Sequence, residues 1–337
     1  ESYIVPLPAW KQGDFFSYFD DSGHQSKVYD PLSTRYDATS KSYVRTPFAG
    51  NKLPADRLNG PAKKLVTYIP DPNLPVNYYD GQNWQNPSAG VRDDRTLITT
   101  KVDQVLGANR LSGRYTYTDQ TNFGPRYFLN PNDRLVGGHN AALSFTQLLT
   151  PTIVNEVRGG VQRFHAFRGP HILDPPITQT LGIPTYPGTI AWPGVYFGDS
   201  WTSAGYFDGI DRDNPQDAPM LSFTFADNLS WSKGKHELKF GMAYQRSNVN
   251  TFETGQPGGD YNFSGLFTAQ MDPAAAASGT LNQQVVNTGA GLADMLLGYT
   301  DWMGLNQYPR FYTRQDDWSF YVRDNWRVSR RLTLNLG

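Results

Sequence analysis

The sequence predicts an all-β protein built from antiparallel strands. Three observations support this prediction: 14% of the residues are aromatic but only 18% are charged, 32 Gly and 24 Pro residues interrupt the chain, and apolar and polar residues alternate from residue 97 onward. Gly and Pro at this frequency are too common for long helices but suit strands joined by turns and loops. The sequence contains no run of about eighteen apolar residues that could form a spanning helix.

Composition and charge exclude several classes of protein. The formal net charge is -1 and Lys and Arg are scattered, so the chain lacks the basic stripe that would offset nucleic-acid phosphates. The absence of cysteine removes disulfides, thiolate catalysis and Cys-ligated zinc. Neither a His-Glu-x-x-His motif nor a Gly-x-Ser-x-Gly motif occurs. We therefore predict no catalytic residue, no metal site, no cofactor and no nucleic-acid partner.

Both ends of the chain indicate a fragment of a longer protein. The chain begins at Glu1 without an initiator Met and without a charged start followed by an apolar run. Residues 332–337 end while strand alternation continues. We expect truncation at both ends.

Two regions differ in pattern. Residues 1–95 are rich in Pro, Asp, Asn, Gly and Tyr and show little periodicity, which predicts a loop-rich region with short strands on the extracellular side. Residues 96–337 consist of hairpins and predict a partial β-barrel.

Alternation of apolar and polar residues marks four hairpins, at residues 97–118, 140–164, 220–245 and 317–337. Short turns are predicted at residues 107–110, 150–152, 232–235 and 329–331. Each predicted strand has about ten residues, the length that crosses a bilayer when the strand is tilted.

The connections between hairpins favour a membrane barrel. Short turns at one end alternate with long connections at residues 119–138 and 165–219, which is typical of periplasmic turns and extracellular loops. The sequence thus predicts an incomplete antiparallel transmembrane β-barrel in the bacterial outer membrane, forming an open curved sheet of about 8–10 strands with long extracellular loops. The alternative is a soluble β-sandwich that buries the same aromatic residues between layers.

Alternation also assigns side chains to two faces. The predicted lipid-facing residues are large and apolar: Leu221, Phe223, Phe225, Trp231, Leu238, Phe240, Trp318, Phe320, Val322 and Trp326. The predicted lumen-facing residues are polar or charged: Arg114, Glu156, Arg158, Glu237, Lys239, Tyr321 and Arg323. Tryptophans near the strand ends suit the aromatic girdles of such barrels.

Aromatic residues in the connection at 165–219 are candidates for solute contact, since flat rings beside polar groups can stack on a sugar or siderophore. The alternative is that these rings pack on one another and order a long loop. Two histidines beside Arg168 are weaker candidates. The full set is Tyr186, Trp192, Tyr196, Phe197, Trp201, Tyr206, Phe207, His165 and His171.

Several short segments, spread in order over the chain, together resemble the TonB-dependent transporters of the Oar-like type, which contain a carboxypeptidase-regulatory-like domain. These segments are residues 13–15, 29–31, 45–51, 69–73, 101–104, 110–115, 152–156, 227–241, 293–298 and 319–337. The resemblance implies a barrel of about 22 strands. It also implies an upstream plug, absent from this chain, through which TonB would act.

Two functions follow. The first is part of an outer-membrane TonB-dependent receptor that takes up a scarce solute, whether carbohydrate, siderophore or peptide, with outer-membrane lipid and TonB as partners. The second is a soluble secreted protein that binds or cleaves carbohydrate. The first predicts that the apolar side chains of strands such as 220–231 lie outside the sheet, and the second predicts that they are buried between layers.

Overall fold

The computed structural model of the protein describes residues 2–19, 23–75, 83–85, 90, 92–126, 130–170, 177–187, 191–198, 215–253, 255–273 and 284–337. The strands are β1 (Ser2–Tyr3), β2 (Tyr29–Asp37), β3 (Ser42–Pro47), β4 (Trp84–Gln85), β5 (Arg92–Leu106), β6 (Asn109–Arg126), β7 (Asn130–Thr150), β8 (Ile153–Pro170), β9 (Gly194–Phe197), β10 (Gln216–Lys233), β11 (His236–Glu253), β12 (Gln256–Phe263), β13 (Trp302–Asn306), β14 (Phe311–Trp326) and β15 (Leu334–Leu336). The α-helices are α1 (Pro8–Lys11), α2 (Gly60–Leu65), α3 (Ile177–Leu181) and α4 (Gly291–Leu297), and 3-10 turns span Ala49–Asn51, Ala55–Arg57 and Val66–Tyr68.

The main element is an antiparallel sheet of eight strands in the order β15-β14-β11-β10-β8-β7-β6-β5. Strands β5 and β15 form its two edges, so the sheet is open rather than closed. The predicted all-β antiparallel fold with 8–10 strands is confirmed. Within the described ranges, every helix is too short or too polar to span a bilayer.

Tight turns join the strands at one end of the sheet. The pairs Leu106–Asn109 and Lys233–His236 each close a loop of two residues. The first loop residue is Gly107 in one and Gly234 in the other, with φ of 63° and 62°. The first residue of a type II′ hairpin loop has a positive φ, and glycine is the residue that adopts it readily. These turns lie within the predicted segments.

The predicted loop at residues 119–138 and the predicted strand length of about ten residues are wrong. Strand β6 continues to Arg126 and β7 begins at Asn130, and the eight-stranded sheet contains strands of up to 21 residues. Apolar alternation marks only the part of a strand that has one apolar side. The backbone pairing continues beyond it, through segments such as residues 119–122 that have no apolar side chain.

A second structure lies at the other end of the sheet and has its own core. We call it the loop unit; it comprises the described residues of the N-terminal region before β5, of the β8–β10 connection and of the β11–β14 connection. Among the described residues, every buried hydrophobic side chain belongs to the loop unit and none to the eight strands. The N-terminal region therefore shares one core with two connections, although the sequence pattern separates it from them.

Asn51 is a polar centre of the loop unit. Its Oδ1 accepts a hydrogen bond from the Val28 backbone N (2.7 Å), and its Nδ2 donates to the carbonyl oxygens of Phe15 (2.6 Å) and Ser26 (2.9 Å). Asn51 is buried and has a φ of 57°, a conformation that asparagine tolerates better than most residues. One side chain thus joins three segments of the chain.

We expect Asn51→Gly to destabilise the loop unit by about 2–4 kcal/mol, because buried groups at Phe15, Ser26 and Val28 lose their partner while glycine keeps the backbone conformation. Hydrogen exchange of the loop-unit peptides in the purified full-length protein measures this loss. Lys41→Gly is the matched control, since Lys41 has a φ of 53° but is exposed. Equal effects of the two substitutions would contradict the role of the Asn51 hydrogen bonds.

An ion pair makes the stability of the loop unit depend on pH. Asp30 Oδ2 lies 2.8 Å from Arg57 Nη1, and Asp30 Oδ1 accepts a hydrogen bond from the Leu32 backbone N. The hydrogen bond from Arg57 holds the pKa of Asp30 below its ordinary value of 3.8. Because the pKa is lower in the folded state, this contribution is present above pH 3.8 and is lost as the pH falls through the folded pKa.

We expect Asp30→Asn to lower the stability of the loop unit at pH 7, and this difference from the wild type to shrink as the pH falls below 3.8 and through the lowered pKa of Asp30. Protection factors of peptides spanning residues 29–57, corrected for intrinsic exchange rates, measure the difference. A difference that stays constant from pH 7 to pH 2 would show that the Asp30 charge does not contribute.

Candidate functional site

The register of the main sheet places all ten predicted lipid-facing residues on one face. Directly paired residues of an antiparallel ladder share a face. Trp231 pairs with Leu238, and Phe240 pairs with Val322. We call this surface the apolar face; it also includes Ile98, Val102, Leu111, Tyr115, Leu143, Phe145, Val157, Val161, Leu229 and Met242.

The apolar face is exposed. Phe320 is 72% exposed and Val322 is 60% exposed, and Phe223 and Phe225 are also exposed. The described part of the chain provides no second layer against this face, so the predicted soluble sandwich is wrong. A contiguous apolar surface of this kind marks contact with a partner or a membrane.

Aromatic rings border the apolar face at two heights. Near the long connections, the rings of Tyr244 and Trp318 lie 4.4 Å apart. Near the short turns, His236 stacks on Trp326 at 5.4 Å and the Lys233 ammonium lies 4.8 Å from the Trp231 ring. Trp318 and Trp326 are eight residues apart, or about 26 Å along the strand. At a strand tilt of about 35–45° this length spans about 20 Å of membrane height, close to the apolar band of about 25 Å between aromatic girdles.

The opposite face of the sheet is polar, and we call it the polar face. It contains all seven predicted lumen-facing residues, since Arg114 faces Ala142, Glu156 faces Asn228, and Lys239 faces Arg323. Hydrogen bonds and an ion pair connect several of these side chains. Ser144 donates to Glu156 (3.0 Å), Arg158 pairs with Glu156 (2.7 Å), Tyr321 donates to Asn228 (2.9 Å), and Asn325 donates to Glu237 (3.1 Å).

A shallow depression of about 340 Å³ lies on the polar face and is lined by the cations Lys101, Arg114 and Arg158. Lys101 is paired with Asp103 and Arg158 with Glu156. The surface is therefore charged but partly neutralised. It suits contact with water and with polar solutes, and its chemistry is opposite to that of the apolar face.

The predicted solute-contact aromatics fall into three groups. Trp192 and Phe197 are 3% and 6% exposed and belong to the core of the loop unit. Trp192 packs edge-on against Tyr68, and Phe197 stacks on Phe263 at 6.1 Å. Solute contact is therefore wrong for these two rings, and the packing alternative describes them.

Tyr186 and Tyr196 are half-buried in the loop unit and keep part of their surface available. Trp201, Tyr206, Phe207 and His171 lie outside the described residues. Solute contact by Tyr186 and Tyr196 stays a prediction.

The prediction that His165 lies in a loop is wrong, because His165 lies near the end of β8. Its Nε2 contacts Asp217 Oδ1, and Arg310 Nη2 lies 2.8 Å from Asp217 Oδ2. The Arg310 guanidinium also lies over the Phe252 ring at 5.3 Å. These contacts tie the β11–β14 connection to the sheet, which is a structural role for His165.

The loop unit contains an apolar pocket of about 190 Å³ between α2, α3 and α4. Its lining includes Ala62, Leu65, Leu181, Val195, Tyr261 and Met295. Burial raises the pKa of the Tyr261 phenol, whose hydroxyl donates to the Pro184 carbonyl at 3.4 Å. Local sequence patterns do not reveal this pocket because three distant segments form it. Its chemistry suits the apolar part of a small solute.

No three His, Asp or Glu side chains gather closely enough to hold a metal ion within the described ranges. A family model described as an outer membrane beta barrel domain matches residues 1–337. No curated protein and no solved structure matches the chain.

A charge on the apolar face is expected to prevent stable insertion. Val322 lies on this face midway between the girdle residues Trp318 and Trp326, so Val322→Arg should cost about 2–4 kcal/mol in a bilayer. Urea titration of the full-length protein in lipid vesicles, read by heat-modifiable gel migration, measures the cost.

Ser319→Arg is the matched control because Ser319 lies on the same strand, three residues from Val322, but pairs with Ala243 on the polar face. We expect a cost below about 1 kcal/mol for it. Equal costs for the two variants would contradict the assignment of the faces.

Proposed function

Because the chain belongs to the outer membrane β-barrel domain family, we propose that it forms part of the wall of a TonB-dependent receptor that takes up a scarce solute. The family places the protein in the bacterial outer membrane. This location rules out the predicted soluble secreted carbohydrate protein.

The observation that carries the proposal is the division of the main sheet into an apolar face and a polar face. A wall that separates lipid from an aqueous path requires this division, since alternate residues of each strand meet the two environments. The exposed Phe320 and its sequence neighbour Tyr321, which bonds Asn228, exemplify the two sides. A solute path along the polar face follows from this arrangement.

The loop unit supports a receptor rather than a plain channel. Short turns of outer-membrane barrels face the periplasm and long connections face the outside, so the loop unit lies on the extracellular side. It has a buried core and an apolar pocket, which offer a solute a shaped surface before the barrel. Tyr261 supplies a partly exposed ring in the lining of this pocket.

The segments that resemble Oar-like transporters supply the polar centres of the loop unit. Arg45 Nη1 donates to the carbonyl oxygens of Leu266, Phe267 and Ala269 at 2.7–2.9 Å. Asp294, buried in α4, accepts from the backbone N and the hydroxyl of Thr268 at 2.9 and 2.7 Å. The segments that carry the resemblance therefore include side chains that hold the loop unit together, and we base the TonB-dependent class on this resemblance.

We expect cells that express the full-length protein to accumulate one of three labelled probes: a ferric siderophore, an oligosaccharide or an oligopeptide. Uptake should saturate, and it should fall to background when TonB is deleted or the proton gradient is collapsed, because active uptake needs energy that diffusion does not. Cells lacking the receptor are the control. Uptake that is unaffected by TonB loss, or accumulation of none of the three probes, would contradict the proposal.

A further inference from the structure

Three arginines extend the apolar face beyond the aromatic pair Tyr244 and Trp318, on the side of the long connections. We call Arg163, Arg246 and Arg314 the arginine collar. The register places them on the apolar face, because Arg163 pairs with Leu221 and Arg246 pairs with Phe223. Arg314 lies in the same row as Arg163, through the pairs Leu221–Asn248 and Asn248–Arg314.

The height of the collar is fixed by its distance from the aromatic rings. Arg246 is two residues beyond Tyr244, and Arg314 is four residues beyond Trp318. These spacings correspond to about 7–13 Å along the strands. Aromatic girdles lie at the boundary between hydrocarbon and headgroups. The collar therefore lies at the headgroup level of the outer leaflet.

The charge of the collar is only partly balanced by the protein. Arg246 Nη1 is 3.8 Å from Asp316 Oδ1, an oxygen that already accepts a hydrogen bond from Tyr244 at 2.6 Å. Arg314 has neutral partners, since it donates to Asn250 Oδ1 at 2.8 Å and lies over the Tyr312 ring.

The other nearby groups leave the collar cationic. Arg163 is exposed and lies opposite His139 on the neighbouring strand. Asp217, further along the same face, is already paired with His165 and Arg310. Among the described residues, Asp316 is the one carboxylate in the rows of the apolar face that hold the three guanidinium groups, and Asp119 lies one residue pair further along.

We propose that the arginine collar binds the phosphate groups of the phosphorylated glycolipids of the outer leaflet. A guanidinium group offers paired N–H donors that match phosphate oxygens, and its charge complements theirs. The apolar face directly below accommodates the acyl chains of the same lipid. One lipid would then contact the collar, the aromatic rings and the apolar face together, and would fix the height of the barrel in the membrane.

The test uses the delipidated full-length protein in detergent, titrated with bisphosphorylated lipid A, with dephosphorylated lipid A and with inorganic phosphate. Native mass spectrometry gives the apparent affinity. The collar variant is Arg163→Gln with Arg246→Gln and Arg314→Gln. The matched control replaces three arginines of the polar face, Arg114→Gln with Arg158→Gln and Arg323→Gln. A third variant replaces the three collar arginines with lysine.

We expect the collar variant to bind bisphosphorylated lipid A about tenfold more weakly than the wild type, which corresponds to about 1.4 kcal/mol. The polar-face variant should stay within about twofold of the wild type, and the lysine variant should have an intermediate affinity, because it keeps the charge but loses the paired N–H donors. The wild type should bind dephosphorylated lipid A and inorganic phosphate each at least about tenfold more weakly than bisphosphorylated lipid A.

Several results would overturn the proposal: wild-type affinity in the collar variant, an equal loss in the polar-face variant, or equal binding of dephosphorylated lipid A. Tight binding of inorganic phosphate would assign the collar to a free anion instead. If the collar variant does not fold, Arg163→Gln alone provides the comparison, with an expected loss of about threefold. These measurements involve neither a solute nor TonB, so they are independent of the proposed uptake.

Discussion

The structure depends on one constraint, which is that every backbone N–H and C=O group inside a bilayer needs a partner within the protein. Hydrocarbon offers no hydrogen bonds, so a chain can cross it as strands only when neighbouring strands pair along their whole length. Strands β6, β7, β8, β10 and β11 are each paired on both sides in antiparallel register, with one shift between β7 and β8 at Leu148–Thr150, beside the turn. Two-residue loops such as that at Gly107 keep successive strands adjacent. In strands paired in this way, successive side chains point to opposite faces of the sheet. One face therefore meets lipid and the other meets water.

The same constraint explains why the buried core lies outside the sheet. A single-layered wall has no interior, and its apolar side chains are covered by lipid rather than by protein. The loop unit lies in water and therefore needs a core of its own, which it assembles from three separate parts of the chain. Side chains such as Asn51, Arg45 and Asp294 connect these parts by satisfying backbone groups that strand pairing does not reach. Each half of the molecule thus satisfies its backbone by a different method.

The sequence was sufficient to predict the features that follow from the alternation of side chains along a strand. It predicted the antiparallel class, the tight turns and the division of the strands into two faces, because residues such as Phe223 and Thr224 alternate locally. It did not predict that β6 and β7 extend past the apolar band, because polar residues such as those at 119–122 end the alternation there. It also left open whether Trp192 contacts a solute or is buried, since the burial of an aromatic loop residue depends on partners distant in sequence, here Tyr68. The pocket beside Tyr261 was missed for the same reason.

The central claim is that alternate residues of one strand meet lipid and water. Residues 1–337 contain no cysteine, so single cysteines placed at residues 318–323 of β14 can each carry a nitroxide label in the full-length protein in bilayers, once any cysteine outside residues 1–337 is replaced by serine. Collision rates with oxygen, which concentrates in lipid, and with a water-soluble nickel complex measure the two environments. The account predicts high oxygen access at 318, 320 and 322 and high nickel access at 319, 321 and 323. A profile without this alternation, or with the two sets exchanged, would contradict it.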